Sequence, residues 1–314
     1  MNLNDPIFCD EVKARAYFEA IRWPDGKPVC PHCGEAEKVY RLNGKSHRPG
    51  LLHCNACDGA FTVTTGGVMA SSHIPLTKWA LGFRLYAASK KGFSAHQLHR
   101  QIGITYKSAW FMSHRIREAM APAADAPPIG GEGKIVEADE TFLAKSRKTR
   151  SRARMGKTKN IAVLGLVERG GAVRSVPLEG EPSRTEILPA LYKHVDPKSA
   201  LHTDGAQVYE GLPGAAAKHE AVDHKKQYVR KNKDGVKVHT NTLEGYFSVF
   251  KRGMVGVYQH CAEQHLHRYL HEFDFRQSNR AALGVNDEVR TERAIKGAEG
   301  KRLTYHQVGG QAGA

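Results

Sequence analysis

Two short cysteine motifs constrain the fold of this chain more tightly than any other feature. The motif CPHC contributes Cys30 and Cys33, and the later motif CNAC contributes Cys54 and Cys57. Each Cys-x2-Cys knuckle directs two thiolates at one point, and two knuckles complete the tetrahedral four-sulfur site of a structural zinc ion. Since the surrounding residues supply only brief strand-like pieces, zinc would provide the missing folding free energy. We therefore predict a zinc ribbon over residues 29–66.

The alternatives to this zinc site are coincidental or redox-active CxxC pairs, which the doubled spacing in a chain of six cysteines disfavours. Nearby His32, His47 and His53 could replace a sulfur ligand, although four cysteines complete the site without them. Four sulfur ligands leave no open coordination position, so this metal would organise a surface and would not activate water. Cys9 and Cys261 stand alone, and we interpret them as hydrophobic side chains.

The charge balance indicates a polyanionic partner. The chain has 47 Lys and Arg against 32 Asp and Glu, a net charge of +15, which attracts phosphate backbones through long-range forces and counterion release. An RNA-binding protein or a merely solvated basic surface would share this composition. No run of about 18 apolar residues occurs, and the first residues lack the basic-then-apolar order of a signal peptide. We expect a cytoplasmic protein without a membrane partner.

Changes in composition along the chain predict a series of modules. Pro, Gly and Ala dominate the linker, and alternating strand-like and helix-like patterns follow it. Before the second strand of that region, residues 145–160 carry eight basic side chains and no acid, which predicts a mobile loop. Besides the ribbon, we expect a leading helix in 1–28, a helical region over 75–120, a linker over 121–133, an α/β domain over 134–280 and a C-terminal tail over 281–314.

The helical region contains a candidate helix-turn-helix. Residues 94–116, SAHQLHRQIGITYKSAWFMSHRI, consist of two helical patterns separated by a glycine, with Ser94 and Thr105 as expected N-caps. On this interpretation Lys107, His114, Arg115 and Arg117 contact DNA phosphates or bases. An ordinary helical hairpin is the alternative, and the adjoining zinc module favours DNA binding.

Three carboxylates in the α/β region form a candidate catalytic set. Asp139 lies near the end of one strand-like run, Asp204 follows another, and Glu244 lies where a helix begins. Phosphodiester cleavage needs a strong nucleophile and stabilised charge on two oxygens, and two Mg²⁺ or Mn²⁺ ions about 4 Å apart supply both. Such ions prefer hard oxygen ligands. Each acid alone is more often a surface residue or a cap, so only the combination predicts a metal site.

Two basic residues follow the last of these acids along the same helix. Lys251 lies seven residues after Glu244, which puts both on one helical face, and Arg252 is adjacent. We expect Lys251 and Arg252 to contact DNA phosphates, with ordinary solvation of the helix as the alternative.

These motifs together resemble the DDE-type transposases of bacterial insertion sequences, in the zinc-ribbon group related to the Merlin elements with an ISXO2-like catalytic domain. The resemblance covers nearly the whole chain and rests on ordered motifs that include VEADETF, LHTDGAQVY and HTNTLEGYFSVFKRGMVGVYQH. It implies a ribonuclease H-like α/β catalytic domain preceded by a zinc ribbon and a helix-turn-helix. Asp139, Asp204 and Glu244 fall on the family's positions for the first strand, the fourth strand and a later helix.

The resemblance also implies an activity and its partners. Members use Mg²⁺ to cleave DNA at the terminal inverted repeats of a mobile element, and the freed 3′-hydroxyl then attacks target DNA without a covalent protein–DNA intermediate. We therefore expect a homo-oligomer on double-stranded DNA, associated with the bacterial nucleoid when bound.

Two questions stay open on the sequence alone. Some members use the Asn of HTN as the last metal ligand, which makes Asn241 the alternative to Glu244. We favour Glu244 because a carboxylate binds Mg²⁺ more strongly than an amide oxygen. The alternative functions are a non-catalytic or domesticated zinc-ribbon regulator of DNA, and a ribonuclease H-like nuclease that cannot rejoin ends.

Overall fold

A computed structural model of the chain describes residues 2–143, 161–211, 214–224, 226–259 and 261–304. The basic loop expected over residues 145–160 lies outside these ranges. The chain divides into two compact units. The ribbon–helix unit combines residues 1–89, 93–121 and 286–314, and the sheet unit combines residues 90–92 and 122–285.

The elements of the described residues are numbered in chain order. The helices are α1 (Glu11–Arg22), α2 (Leu76–Ala88), α3 (Ala95–Ile102), α4 (Tyr106–Met120), α5 (Arg184–His194), α6 (Asn241–Gly253), α7 (Leu266–Ser278) and α8 (Asp287–Lys296). The strands are β1 (Val39–Arg41), β2 (Leu52–Cys54), β3 (Gly59–Phe61), β4 (Ile135–Leu143), β5 (Ile161–Glu168), β6 (Val173–Pro177), β7 (Ala200–Thr203), β8 (Lys218–Ala221), β9 (Arg230–Lys231) and β10 (Lys237–Val238).

Three short antiparallel strands form the sheet that carries part of the cysteine cluster. Their order is β1-β2-β3, with Cys54 at the end of β2 paired to Val39 and Gly59. Leu52 and Phe61 are buried beneath this sheet. Because strands of three residues bury so little surface, this part of the chain needs a further source of stability.

The two helices of the candidate DNA-binding motif begin at the caps expected from the sequence. The Ser94 hydroxyl accepts a hydrogen bond from the backbone N–H of Gln97 at 3.1 Å, and the Thr105 hydroxyl accepts one from Ser108 at 3.2 Å. Between the helices Gly103 adopts a left-handed conformation with φ of 66°, where a side chain would be strained. Both N-cap predictions are confirmed.

The last described helix belongs to the ribbon–helix unit. Sequence analysis assigned residues 281–314 to a tail, but within this stretch Asn286 caps α8 by accepting a hydrogen bond from Val289 N–H at 2.9 Å. Arg290 donates to the Ala87 carbonyl oxygen at the end of α2, at 3.2 Å. The α8 helix thus completes the packing of the unit that the first 121 residues begin.

The sheet unit is built on a five-stranded mixed sheet, so the expected α/β class is confirmed. The strand order is β6-β5-β4-β7-β8, in which β4, β5 and β6 are antiparallel and β4, β7 and β8 are parallel. Side chains alternate between the two faces of a strand. One face of β4 and β5 packs against α5, and the other face of β5 packs against α6 and α7. Strand β5 is therefore enclosed on both faces.

Candidate functional site

The four predicted zinc ligands lie together in the ribbon. Cys30 Sγ lies 3.7 Å from Cys57 Sγ, and Cys33 Sγ lies 3.6 Å from Cys54 Sγ. All four sulfurs lie within 4.8 Å of one another. Sulfurs bound tetrahedrally at about 2.3 Å from zinc are about 3.8 Å apart, so this arrangement fits the ion. These separations also exceed the bond length of a disulfide, about 2.05 Å.

The electrostatics of the cluster favour a bound cation. Burial raises the pKa of the Cys30 thiol, but hydrogen bonds from the backbone N–H groups of His32 and Cys33 and from the Cys57 and Cys33 side chains together lower that pKa to about 7. The neighbouring sulfurs, Cys33 first among them, together with burial raise the pKa of Cys57 to about 12. Four thiols this close cannot all ionise without a compensating positive charge, which zinc supplies. The nearby His53 contacts Asp58 at 3.1 Å instead of joining the sulfurs.

The strand register of the sheet unit brings Asp139 and Asp204 side by side. In the parallel pairing of β4 with β7, Glu137 lies opposite His202. Two residues further along each strand stand Asp139 and Asp204, the latter directly after β7 ends. On the other side of β4, Asp139 lies opposite Gly165 of β5. The carboxyl end of β7 and the middle of β4 therefore form one acidic edge.

Asp139 is half-buried beside other acidic residues, and both conditions raise its pKa. Burial raises the pKa, and the charges of Asp204, Glu140 and Glu244 raise it further, to about 7, although Glu140 N–H donates to Asp139 Oδ1 at 2.8 Å. A half-buried carboxylate among three other acids is destabilised in its charged form. A divalent cation would relieve that repulsion, and oxygen is its preferred ligand.

Glu244 lies in the first turn of α6. Its side chain is 43% exposed, with Oε1 3.4 Å from His224 Nδ1 and 3.5 Å from the Thr240 hydroxyl. Asn241, the alternative ligand, is exposed at the first position of the same helix. Within the described residues no group of three carboxylates has its oxygens all within 4.8 Å of one another. Glu244 is thus near enough to raise the pKa of Asp139 without closing a single-ion site.

Two stretches of the chain match known protein families. Residues 9–59 match the transposase zinc-ribbon domain, and residues 130–278 match the ISXO2-like transposase domain. The chain belongs to the ISXO2-like DDE transposases. The resemblance to this family is therefore confirmed. The first matched stretch contains the four cysteines, and the second contains the candidate residues Asp139, Asp204 and Glu244. No curated protein and no solved structure matches this transposase.

Membership identifies the four-cysteine cluster of the transposase as the structural zinc site of its ribbon. Both domains also imply that the transposase binds DNA. In the described part of the chain no helix is both long and apolar enough to cross a membrane.

The basic residues predicted to contact DNA have different surroundings in the transposase. Lys107 is exposed in the first turn of α4, and Lys251 and Arg252 are exposed in the last turn of α6. Arg115 is only 8% exposed, and it donates to the Ala70 carbonyl oxygen at 3.0 Å. Its guanidinium also lies 4.3 Å from the Phe111 ring. The burial of Arg115 argues against a contact with DNA, because α4 turns that side chain into the ribbon–helix unit. His114 and Arg117 of the same helix are each only 2% exposed, so the same applies to them.

Sequence reasoning missed one acidic residue of the sheet unit. Glu137 is fully buried in β4, two residues before Asp139, and accepts hydrogen bonds from the start of α6. The sequence did contain a signal for this residue. Glu137 stands between the apolar residues Val136 and Ala138 of a predicted strand, where an acid is unusual, and it lies two residues before Asp139 and thus on the same face.

Proposed function

We propose that this transposase cleaves DNA at the ends of its mobile element and joins the resulting 3′-hydroxyl to target DNA, with Asp139, Asp204 and Glu244 as its metal ligands. The observation that carries the proposal is the adjacency of Asp139 and Asp204 on parallel strands, where neighbouring charges and burial raise the pKa of Asp139 to about 7. Such perturbed carboxylates mark sites of cation binding or catalysis.

The topology of the sheet unit supports a ribonuclease H-like catalytic domain. Asp139 lies on its first strand in chain order, Asp204 follows its fourth, and Glu244 lies on a later helix, as the family pattern requires. Three antiparallel strands followed by two parallel ones bring the first and fourth strands together at the centre of the sheet. This adjacency supplies the acidic edge.

The donor set of three carboxylates suits hard divalent cations such as Mg²⁺ or Mn²⁺. Two such ions, held by these carboxylates, would activate the attacking oxygen and stabilise the leaving oxygen of an in-line displacement. Asp139 and Asp204 would hold the ions from the sheet, and Glu244 would approach from α6. We favour Glu244 over Asn241 because its charge already acts on Asp139.

Exposed basic residues on α6 and α4 would position the DNA substrate. Lys251 and Arg252 lie on the same helix as Glu244, where they would hold a phosphate of the DNA end. In the ribbon–helix unit the capped helices α3 and α4 would act as a helix-turn-helix, with Lys107 at the start of the recognition helix. We further propose that copies of the chain assemble on the terminal inverted repeats and target DNA of the bacterial nucleoid.

Strand cleavage and strand transfer by purified protein test this proposal. The substrate is DNA carrying the sequences that flank the gene, incubated with Mg²⁺ or Mn²⁺. We expect Asp139→Asn, Asp204→Asn and Glu244→Gln to abolish both reactions while DNA binding persists. Asn241→Ala tests the alternative ligand, and Glu181→Gln, at an exposed acid of the same unit, is the control.

Each other outcome would favour a different function. Wild-type binding without cleavage would identify a DNA-binding regulator, and cleavage without strand transfer would identify a nuclease. Full activity of Glu244→Gln together with an inactive Asn241→Ala would move the third ligand to Asn241.

A further inference from the structure

Glu137 lies on β4, but its side chain caps α6, the helix that carries Glu244. Its Oε2 accepts hydrogen bonds from the backbone N–H groups of Thr242 at 2.9 Å and Leu243 at 3.1 Å, and its Oε1 accepts one from the Thr242 hydroxyl at 2.9 Å. The first N–H groups of a helix lack partners within the helix, and Thr240 at the N-cap makes no side-chain cap. The carboxylate of β4 supplies these partners from 105 residues away.

Arg169 fixes this carboxylate to the segment that leads into the helix. Its Nε donates to Glu137 Oε1 at 2.6 Å, its Nη1 to the Lys237 carbonyl oxygen at 2.7 Å, and its Nη2 to the His239 carbonyl oxygen at 2.8 Å. A guanidinium has a rigid planar fork, so three simultaneous acceptors define its position. A fully buried carboxylate without such a partner would be strongly destabilising.

This network joins the two elements that carry proposed metal ligands, β4 with Asp139 and α6 with Glu244. Glu137 and Asp139 are two residues apart on β4, so their side chains leave the same face of the sheet. Glu244 follows the capped residue Thr242 within the same helical turn. One carboxylate therefore belongs to the strand of Asp139 and holds the first turn of the helix that carries Glu244.

We infer that Glu137, held by Arg169, is a positioning residue that sets the distance of Glu244 from the Asp139–Asp204 pair and thereby tunes the affinity of the site for divalent cations. The inference rests on the proposed function. Groups that orient metal ligands without touching the metal change its affinity by about 10–100-fold when they are substituted.

If Glu137 only stabilised the fold, its substitution would lower stability without changing the metal affinity of the folded protein. A buried carboxylate that caps a helix and pairs with arginine also stabilises the fold, so loss of stability or of activity alone would not distinguish the two roles. The sheet unit offers a matched control. Glu272 of α7 is also 0% exposed and also pairs with an arginine, Arg276, and it accepts a hydrogen bond from the hydroxyl of Tyr258, which follows α6 in the chain.

The experiment measures Mn²⁺ binding to the full-length, zinc-loaded chain by calorimetry and by the electron paramagnetic resonance of unbound Mn²⁺, at a temperature where every variant is folded. We expect Glu137→Gln to weaken Mn²⁺ binding by about tenfold or more, because an amide cannot accept from all four donors and α6 shifts. The control Glu272→Gln should change that affinity less than about twofold, since its lost contacts lie outside the site. Asp204→Asn removes a proposed metal ligand, so weaker Mn²⁺ binding in this variant would show that the measured ion occupies the proposed site.

The outcomes separate the inference from the proposed function. If Asp204→Asn weakens Mn²⁺ binding and folded Glu137→Gln does not, the positioning role is overturned and the metal site stands. If Asp204→Asn leaves binding unchanged, the proposed metal site fails, and the positioning role fails with it. Should Glu137→Gln not fold, Arg169→Lys keeps the charge but loses the fork, and unchanged Mn²⁺ affinity in that variant overturns the inference.

Discussion

Lys107 and Arg115 lie on one helix but have different environments. Lys107 is exposed in the first turn of α4, whereas Arg115, two turns later, hydrogen-bonds to a backbone carbonyl inside the unit. Burial also lowers the pKa of the Arg115 guanidinium. The same side-chain charge can thus serve a DNA phosphate at one position and the fold at the other.

Substitutions at these two residues should therefore separate binding from stability. We expect Lys107→Ala to weaken DNA binding at every sequence and to reduce the salt dependence of log K by about 1, because one phosphate contact is lost. Arg115→Ala should instead lower the free energy of unfolding by about 1–3 kcal/mol through a lost buried hydrogen bond. Filter binding over a salt series and urea unfolding check the two effects, and the reverse assignment would contradict our interpretation.

Asp274 shows how a buried acid makes stability depend on pH. It accepts hydrogen bonds from the Ser175 hydroxyl at 2.6 Å and the Tyr246 hydroxyl at 2.5 Å, which join β6, α6 and α7. Burial raises its pKa to about 6, although both partners act in the opposite direction. The folded state therefore binds a proton more tightly than the unfolded state, whose carboxyl has an ordinary pKa of about 3.9.

The sign of the pH effect follows from this difference. Between about pH 4 and 6 the folded state holds the Asp274 proton and the unfolded state does not, so this group's contribution to the free energy of unfolding falls as pH rises through that window. The full difference is about 3 kcal/mol. Urea unfolding of wild type and Asp274→Asn from pH 4 to 7 should show the stability of wild type falling relative to the variant. A pH-independent difference would contradict the prediction.

At the scale of elements, the approach of α6 to the sheet depends on a glycine. A Cβ added to Gly165 of β5 would lie 2.6 Å from Phe247 Cζ and 2.7 Å from Leu243 Cδ1. These contacts are shorter than van der Waals separation, so any side chain at this position would push α6 away. Gly165 also lies opposite Asp139, which puts the contact beside the acidic edge.

Gly165→Ala should consequently destabilise the sheet unit by about 1–3 kcal/mol and reduce strand cleavage, because overpacking displaces the helix that carries Glu244. Gly245→Ala is the matched control in α6 itself, since nothing lies within 4 Å of its added Cβ. Alanine there should stabilise the helix by about 0.5–1 kcal/mol. Thermal unfolding and cleavage assays compare both variants, and equal changes in stability and cleavage would contradict a special packing role of Gly165.

At the scale of the whole molecule, the two units depend on different sources of stability. The sheet unit has a hydrophobic cluster on each face of β5. The ribbon has strands of three residues and depends on its metal. Removing zinc should accordingly affect the two units differently.

We expect a strong chelator, or Cys57→Ser, to unfold the ribbon and to leave the sheet unit folded. Hydrogen exchange should show lost protection in β1, β2 and β3 and retained protection in β4 and β5, and zinc content should fall below stoichiometry. Cys9→Ser, at an exposed cysteine outside the cluster, is the control. A Cys57→Ser protein with stoichiometric zinc would contradict four-sulfur ligation.

The sequence by itself determined the features that depend on short spacing. The two CxxC knuckles and the caps of α3 and α4 involve residues three apart, so local geometry decides them. The resemblance added the expected positions of Asp139, Asp204 and Glu244. The third ligand could not be decided between Glu244 and Asn241, because both occupy the first turn of one helix.

Only the tertiary structure decided which distant residues share an environment. The adjacency of Asp139 and Asp204 follows from the register of β4 with β7, and the burial of Arg115 follows from the face of α4 that packs inward. The capping of α6 by Glu137 joins residues 105 positions apart, and α8 returns to the first unit after the whole sheet unit has intervened. Such contacts arise when completed elements pack against one another, and the sequence pattern within a single segment carries no information about that packing.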